Sequence, residues 1–158
     1  GIHAVTVNSF YLCKLIKTRF PHIKISVGLY AGVFALQQIK YWENLGADEI
    51  TLVHLINRNF ILLEEILKHT KNTGTNIRLI ANNVCLHYCP HSICYGTMQS
   101  HASQKNHFSN AYVIDYCLVK CLHQRIKNPA HLIAGHWIRP EDIHLYEKLK
   151  EKTGNNNL

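Results

Sequence analysis

The chain has 158 residues, 47% of them hydrophobic, and a formal net charge of +7 with histidines neutral. That is about one domain of sequence, apolar enough to bury a core. No run approaches the ~20 apolar residues of a membrane-spanning helix: the longest candidate, residues 23–36, is broken by Lys24 and two glycines. No secretory signal pattern opens the chain, which suits a cytoplasmic protein, although a start at Gly1 rather than Met fits a cut end.

The first half alternates two periodicities. Strand-like runs at 4–7, 23–27, 49–53 and 77–81 are separated by helical patterns at 9–19, 32–45 and 59–69. In the last of these, Phe60, Leu63, Ile66 and Leu67 make an apolar face, with Glu64, Glu65 and Lys68 outside it. Gly46 and Gly74 stand where helices end. The spacing is that of βα units, and short apolar strands predict a parallel sheet covered by helices. The fold class is therefore α/β, either an open doubly wound sheet or a (β/α) barrel. No G-x-G-x-x-G and no P-loop follows a strand, so a nucleotide fold gains no support. Polar residues at the C-terminal ends of the strands (Asn8 and Ser9, 26–30, His54 to Arg58, Asn82 and Asn83) favour the barrel, whose chemistry sits on that rim. Four strands cannot close a barrel of eight, so a partial TIM-like barrel is expected over 1–154, a piece of a larger one with exposed sheet edges.

After Gly96 the pattern changes. Residues 97–111 are polar and loop-like, a helix is expected over 114–126, and Asn128-Pro129 stops it. A final helix begins at Arg139-Pro140-Glu141-Asp142, with proline and acids in its first turn, and ends at Gly154. The asparagine-rich tail 155–158 reads as disordered.

The chemistry concentrates in the second half. Five of the six cysteines (85, 89, 94, 117 and 121) fall within 85–121, and Asp115 is the sole acid between Glu65 and Glu141. Clustering of this kind, in a βα chain without a secretion signal, indicates metal binding or catalysis rather than a disulfide framework. The positive field favours thiolates and attracts anionic substrates or nucleic acid. Cys85 and Cys89 lie in a loop, while Cys117 and Cys121 are i and i+4 on a predicted helix and share a face. Two such pairs can make a four-sulfur site for zinc or an iron–sulfur cluster. Cys94 is a fifth candidate ligand, too far along for the three-cysteine run of radical enzymes that cleave S-adenosylmethionine. Cys13 is expected in the core. His87, His91 and His101 are candidate ligands or proton carriers, and Ser100 with His101 could support nucleophilic catalysis, but no orienting acid lies near them.

Several ordered motifs resemble peptidase family U32, the collagenase-like peptidases. They are Phe20-Pro21-x-x-Lys24-x-Ser26-Val27; Leu45-Gly46-Ala47-Asp48 followed by Ile50; Asn57-Arg58-Asn59-Phe60; residues 77–83 followed by Cys85, Leu86, Cys89 and Pro90; Asp115-Tyr116-Cys117-x-x-x-Cys121; and residues 138–143 with Tyr146 and Glu147. The resemblance implies the middle section of a TIM-barrel-like catalytic domain. It also implies divided activities: peptidases on collagen-like substrates, or [4Fe-4S] proteins that hydroxylate RNA bases or a quinone precursor without molecular oxygen, prephenate being the proposed oxygen donor for some. Cys85, Cys89, Cys117 and Cys121 carry over as candidate cluster ligands.

The favoured expectation is a cluster-binding hydroxylase or RNA-modifying enzyme, with Asn82, Asn83, His54 and Arg58 lining the substrate cavity and basic groups binding an anionic small molecule or RNA. A metal-dependent or cysteine peptidase is the alternative, and a non-catalytic fragment with a structural zinc or cluster site is a third reading. A partner subunit or the remainder of the barrel is the expected partner.

Overall fold

The computed structural model describes residues 1–83, 85–92, 94, 96 and 116–158, with side chains from 119 onward in the last stretch. By its internal packing the chain divides into two compact units, Gly1–Asn82 with Trp137–Leu158, and Asn83–His136.

The first unit is a parallel four-stranded sheet with its strands in sequence order: β1 Ala4–Val7, β2 Lys24–Val27, β3 Glu49–Thr51 and β4 Asn76–Arg78. Helices α1 (Phe10–Arg19), α2 (Leu36–Asn44) and α3 (Phe60–Thr73) carry the chain from each strand to the next. The register is direct, with Val5 against Ile25, Val27 against Ile50 and Ile50 against Ile77. A doubly wound sheet reverses its strand order at a switch point. This order never reverses, which is the wiring of consecutive barrel steps.

The strands alternate rather than run continuously apolar, as KISV, EIT and NIR show. One face carries Val7, Ile25, Val27, Ile50 and Ile77, packed on Cys13 of α1, Ile39 and Trp42 of α2, and Leu63, Ile66 and Leu67 of α3. The opposite face is polar and open, because Thr6, Ser26, Glu49 and Arg78 line a cavity of about 540 Å³ there. Ser26 Oγ donates to Glu49 Oε1 at 2.6 Å and Arg78 reaches Glu49 Oε2 at 2.8 Å. Ser26, expected on the rim, thus belongs to this inward layer.

Helix α2 starts later than the period predicted. Residues Leu29–Ala31 form a 3-10 turn and Val33 bridges to Leu52, so the apolar run after Gly32 is spent on the sheet before the helix begins. Helix α3 instead runs on past His69 to Thr73, where Gly74 takes a left-handed φ of 77° that a β-carbon would oppose.

The last part of this unit returns to the sheet. Residues Pro140–Asp142 form a 3-10 turn leading into helix α6 (Ile143–Thr153), which packs on α3. Arg139 holds Asp142 through two bonds of 2.7 Å, fixing the turn that the sequence marks with proline and acids. The tail is not disordered. Asn155 is 2% exposed, its amide donates to Leu67 O at 2.7 Å and Thr70 Oγ1 at 3.0 Å, and Ile77 N–H donates to Asn157 O at 2.6 Å. Its polar composition serves buried acceptors distant in sequence, a use that local pattern cannot reveal.

The second unit contains the turns around Cys89, helix α4 (Tyr116–Lys127) and helix α5 (Ala130–Ala134). Asn128 separates the two helices, its side chain accepting from Ala130 N–H at 3.1 Å. Among the described residues no helix is long and apolar enough to cross a membrane.

Candidate functional site

Two regions hold the residues that the sequence singles out. In the first unit, the chain leaving β3 forms a 3-10 turn over His54–Ile56. His54 is 7% exposed, and burial pushes its imidazole below the ordinary 6.5, toward the neutral form. Arg58 donates to Trp137 O at 2.9 Å, so its guanidinium is partly committed to holding the chain that enters α6.

Between them lies Asn57, fully buried, which ties three segments together. Its amide donates to Ile80 O at 2.9 Å and its own carbonyl accepts from Tyr146 Oη at 2.7 Å. Burial raises the Tyr146 phenol above its ordinary value, which keeps the donor proton in place. Sequence reasoning placed Asn57 in the polar strand-end stretch His54 to Arg58 and in a family-like motif; the partners that make it a structural tie lie 23 and 89 residues away.

In the second unit, Asn83 Oδ1 accepts from Cys85 N–H at 2.9 Å, a short Asx-type turn that positions the first cysteine. Cys89 N–H donates to Leu86 O at 3.1 Å and Ser92 N–H to Cys89 O at 3.2 Å, so Cys89 sits between successive turns. Tyr88 holds a φ of 49°, unusual for an aromatic residue and a sign that the surrounding turns constrain it. His87 stacks on His136 with centroids 4.4 Å apart and planes 22° from parallel.

A cavity of about 380 Å³ opens beside these turns. Cys89 and Cys121 line it together with His87, His91, Lys120 and Gln124. The loop and the helix thus bring one cysteine from each of the two expected pairs to a common space. Cys85 is half-buried and Cys94 exposed, and neither lines that cavity. Cys117 is one turn before Cys121 on α4, and its side chain lies outside the described residues, as do Ser100 and His101. Among the described residues the cysteines are free thiols, and no group of three His, Cys, Asp or Glu side chains is arranged to hold a metal. Cys13 is in the core, fully buried, and burial pushes its thiol up. Asn82 is exposed at the end of the first unit.

The donor set of the cavity is soft. Sulfur and imidazole line it, and the one acid between Glu65 and Glu141 is Asp115, outside the described residues. Such donors suit zinc or an iron–sulfur cluster and do not suit the oxygen-seeking calcium or magnesium ions.

No family model matches the chain. It is similar to an uncharacterized protease of Methanocaldococcus jannaschii, 31% identical over 149 residues that make up 94% of this chain and 42% of the relative. The chain therefore spans less than half the length of the curated relative it matches. Its fold is similar to the solved structure of the U32 peptidase Mk0906, with a TM-score of 0.56 and 21% identity, covering 88% of this chain and 51% of that one. Taken with the sequential parallel strands, the likeness to that solved structure shows a partial (β/α)-barrel fold, and the ordered motifs from Phe20 to Glu147 resemble peptidase family U32.

Proposed function

We propose that this chain forms part of the catalytic domain of an iron–sulfur protein that acts in oxygen-independent hydroxylation, on an RNA base or an anionic small molecule. The observation that carries the reading is the shared cavity of Cys89, from the loop, and Cys121, from α4. Cys85, Cys89, Cys117 and Cys121 are the residues that hold a [4Fe-4S] cluster in this reading, with Cys94 as the substitute ligand. Bound there, the cluster supplies redox chemistry at a potential set by nearby hydrogen bonds and solvent access.

The remaining cavity residues have roles of their own. Lys120 offers a positive charge and Gln124 an amide to an anionic group, and no carboxylate is among the described lining residues. The stacked pair of His87 and His136 stiffens the turn that carries Cys89.

Purification without oxygen tests the reading. The chain should be brown, with a broad visible band and about four iron and four sulfide ions per chain. A colourless chain holding one zinc ion overturns it.

A second reading, a peptidase, draws support from the protease name of the relative and from the exposed thiol of Cys94. It predicts gelatin cleavage that is lost in a Cys94→Ala variant. Cleavage untouched by every cysteine and histidine substitution contradicts it.

A further inference from the structure

Helix α4 has two unlike faces. At the helical period, Val119, Leu122 and Ile126 fall within about 60° of one another, while Cys121 and Gln124 lie on the opposite side. Cys121 and Gln124 line the cavity of about 380 Å³ beside the Cys89 turns. An amphipathic helix ordinarily turns its aliphatic residues to a core. Here they face outward: Val119 is 55% exposed, Leu122 56% and Ile126 71%. Helix α5, packed on α4, adds Leu132 at 49% and Ile133 at 74%, so exposed aliphatic surface does not end with α4.

Cations border this ridge. His123 and Lys127 lie along one flank and Arg125 along the other, and no acid occurs between Tyr116 and Pro140. The occupant of such a face must be apolar and anionic at once. A second copy of the chain brings the same cations to the same face and is repelled. Single-stranded RNA supplies negative charge, but its bases are held by stacking rings, and residues 117–136 contain no Phe, Tyr or Trp. Protein interfaces centre on aromatic anchors set in pockets, with leucine and valine under-represented, whereas this ridge is convex and aliphatic. A bilayer interface needs neither rings nor pockets. Aliphatic side chains sink to the acyl boundary while flanking lysine and arginine stay with anionic headgroups.

We propose that the outer face of α4 docks on the surface of an anionic lipid bilayer, with Val119, Leu122 and Ile126 in the interface and Arg125 and Lys127 against the headgroups. The helix lies on the surface and does not span it, since its 12 residues reach about 18 Å against a hydrocarbon core of about 30 Å. The face that carries Cys121 and Gln124 is turned away from the lipid.

Flotation of the 158-residue chain with lipid vesicles tests the proposal. Vesicles of equal parts phosphatidylglycerol and phosphatidylcholine should carry the chain, and pure phosphatidylcholine should bind it at least about tenfold more weakly. Lys127→Gln should weaken binding to the anionic vesicles about fivefold. Leu122→Gln combined with Ile126→Gln should weaken it at least about tenfold, and should leave urea unfolding unchanged because both positions are exposed. Ile126→Trp should bind more tightly, with fluorescence that shifts to the blue on the anionic vesicles. Absence of binding to those vesicles overturns the proposal, as does binding that the double glutamine variant retains in full. If that variant instead loses only the binding of oligouridine, the face belongs to nucleic acid; if it loses only a dimer seen in sedimentation, the face belongs to a second copy. Either result also overturns docking on lipid.

Discussion

Replacing Tyr146 with Phe tests whether the rim beyond β3 is held by the Asn57 tie. The substitution removes one oxygen and leaves the ring in contact with Phe60, whose centroid is 5.1 Å away. The lost bond is the 2.7 Å donation to Asn57 O, between a tyrosine 8% exposed and an asparagine fully buried. Water has little access to the carbonyl left behind, so the cost is that of an unsatisfied buried acceptor, about 1–3 kcal/mol. For a unit of about a hundred residues each kcal/mol lowers the melting temperature by about 4–8 °C. Urea unfolding at neutral pH, followed by circular dichroism, should show a lower midpoint with an unchanged slope. A loss below about 0.5 kcal/mol would mean that the carbonyl finds another donor, and that Asn57 does not bind α6 to the strand ends as described.

Two pH effects follow from buried groups. Burial pushes the Glu43 carboxyl up, but hydrogen bonds from Thr73, His69 and Thr75 outweigh it and hold the group below its ordinary 4.5. Its stabilising contribution is complete above 4.5 and is lost as pH falls through the folded-state value, so Thr73→Val should shallow the fall in urea midpoint below pH 4.5. Equal slopes for the two proteins would exclude Thr73 from that role. His54 is held below 6.5 by burial, so the unfolded chain takes its proton first and stability declines as pH drops from 6.5. A His54→Gln variant should have a flatter stability profile there, and an unchanged profile would show that the imidazole titrates normally.

Much of the fold was legible because it rests on local pattern. The first strand coincides with its predicted range, 4–7, and α1 with all but one residue of its own, since both depend on short apolar runs between polar breaks. Cys13 falls in the core as its helical position required. What escaped depends on partners distant in sequence. The tail's asparagines look like a disordered run until Asn155 is seen to fill the buried acceptors of α3. The polar face of the sheet is hidden because Ser26 reads as a rim residue until it and Arg78 are seen to meet Glu49. At the candidate site, the helical spacing of Cys117 and Cys121 was plain, but the approach of Cys121 to the cavity of Cys89 is a tertiary event. The bond that Asn83 accepts from the Cys85 backbone N–H is local, but residue identity alone did not mark it.

The most direct measurement of the central claim is mass mapping of cysteine alkylation, with and without the reconstituted cluster. Cys94 is exposed and should react in both states, and Cys13, fully buried, in neither until the chain unfolds. With the centre bound, Cys85, Cys89, Cys117 and Cys121 should all become resistant together, and removal of the metal should release them together. Modification of Cys89 or Cys121 at the same rate in both states would contradict a shared inorganic centre.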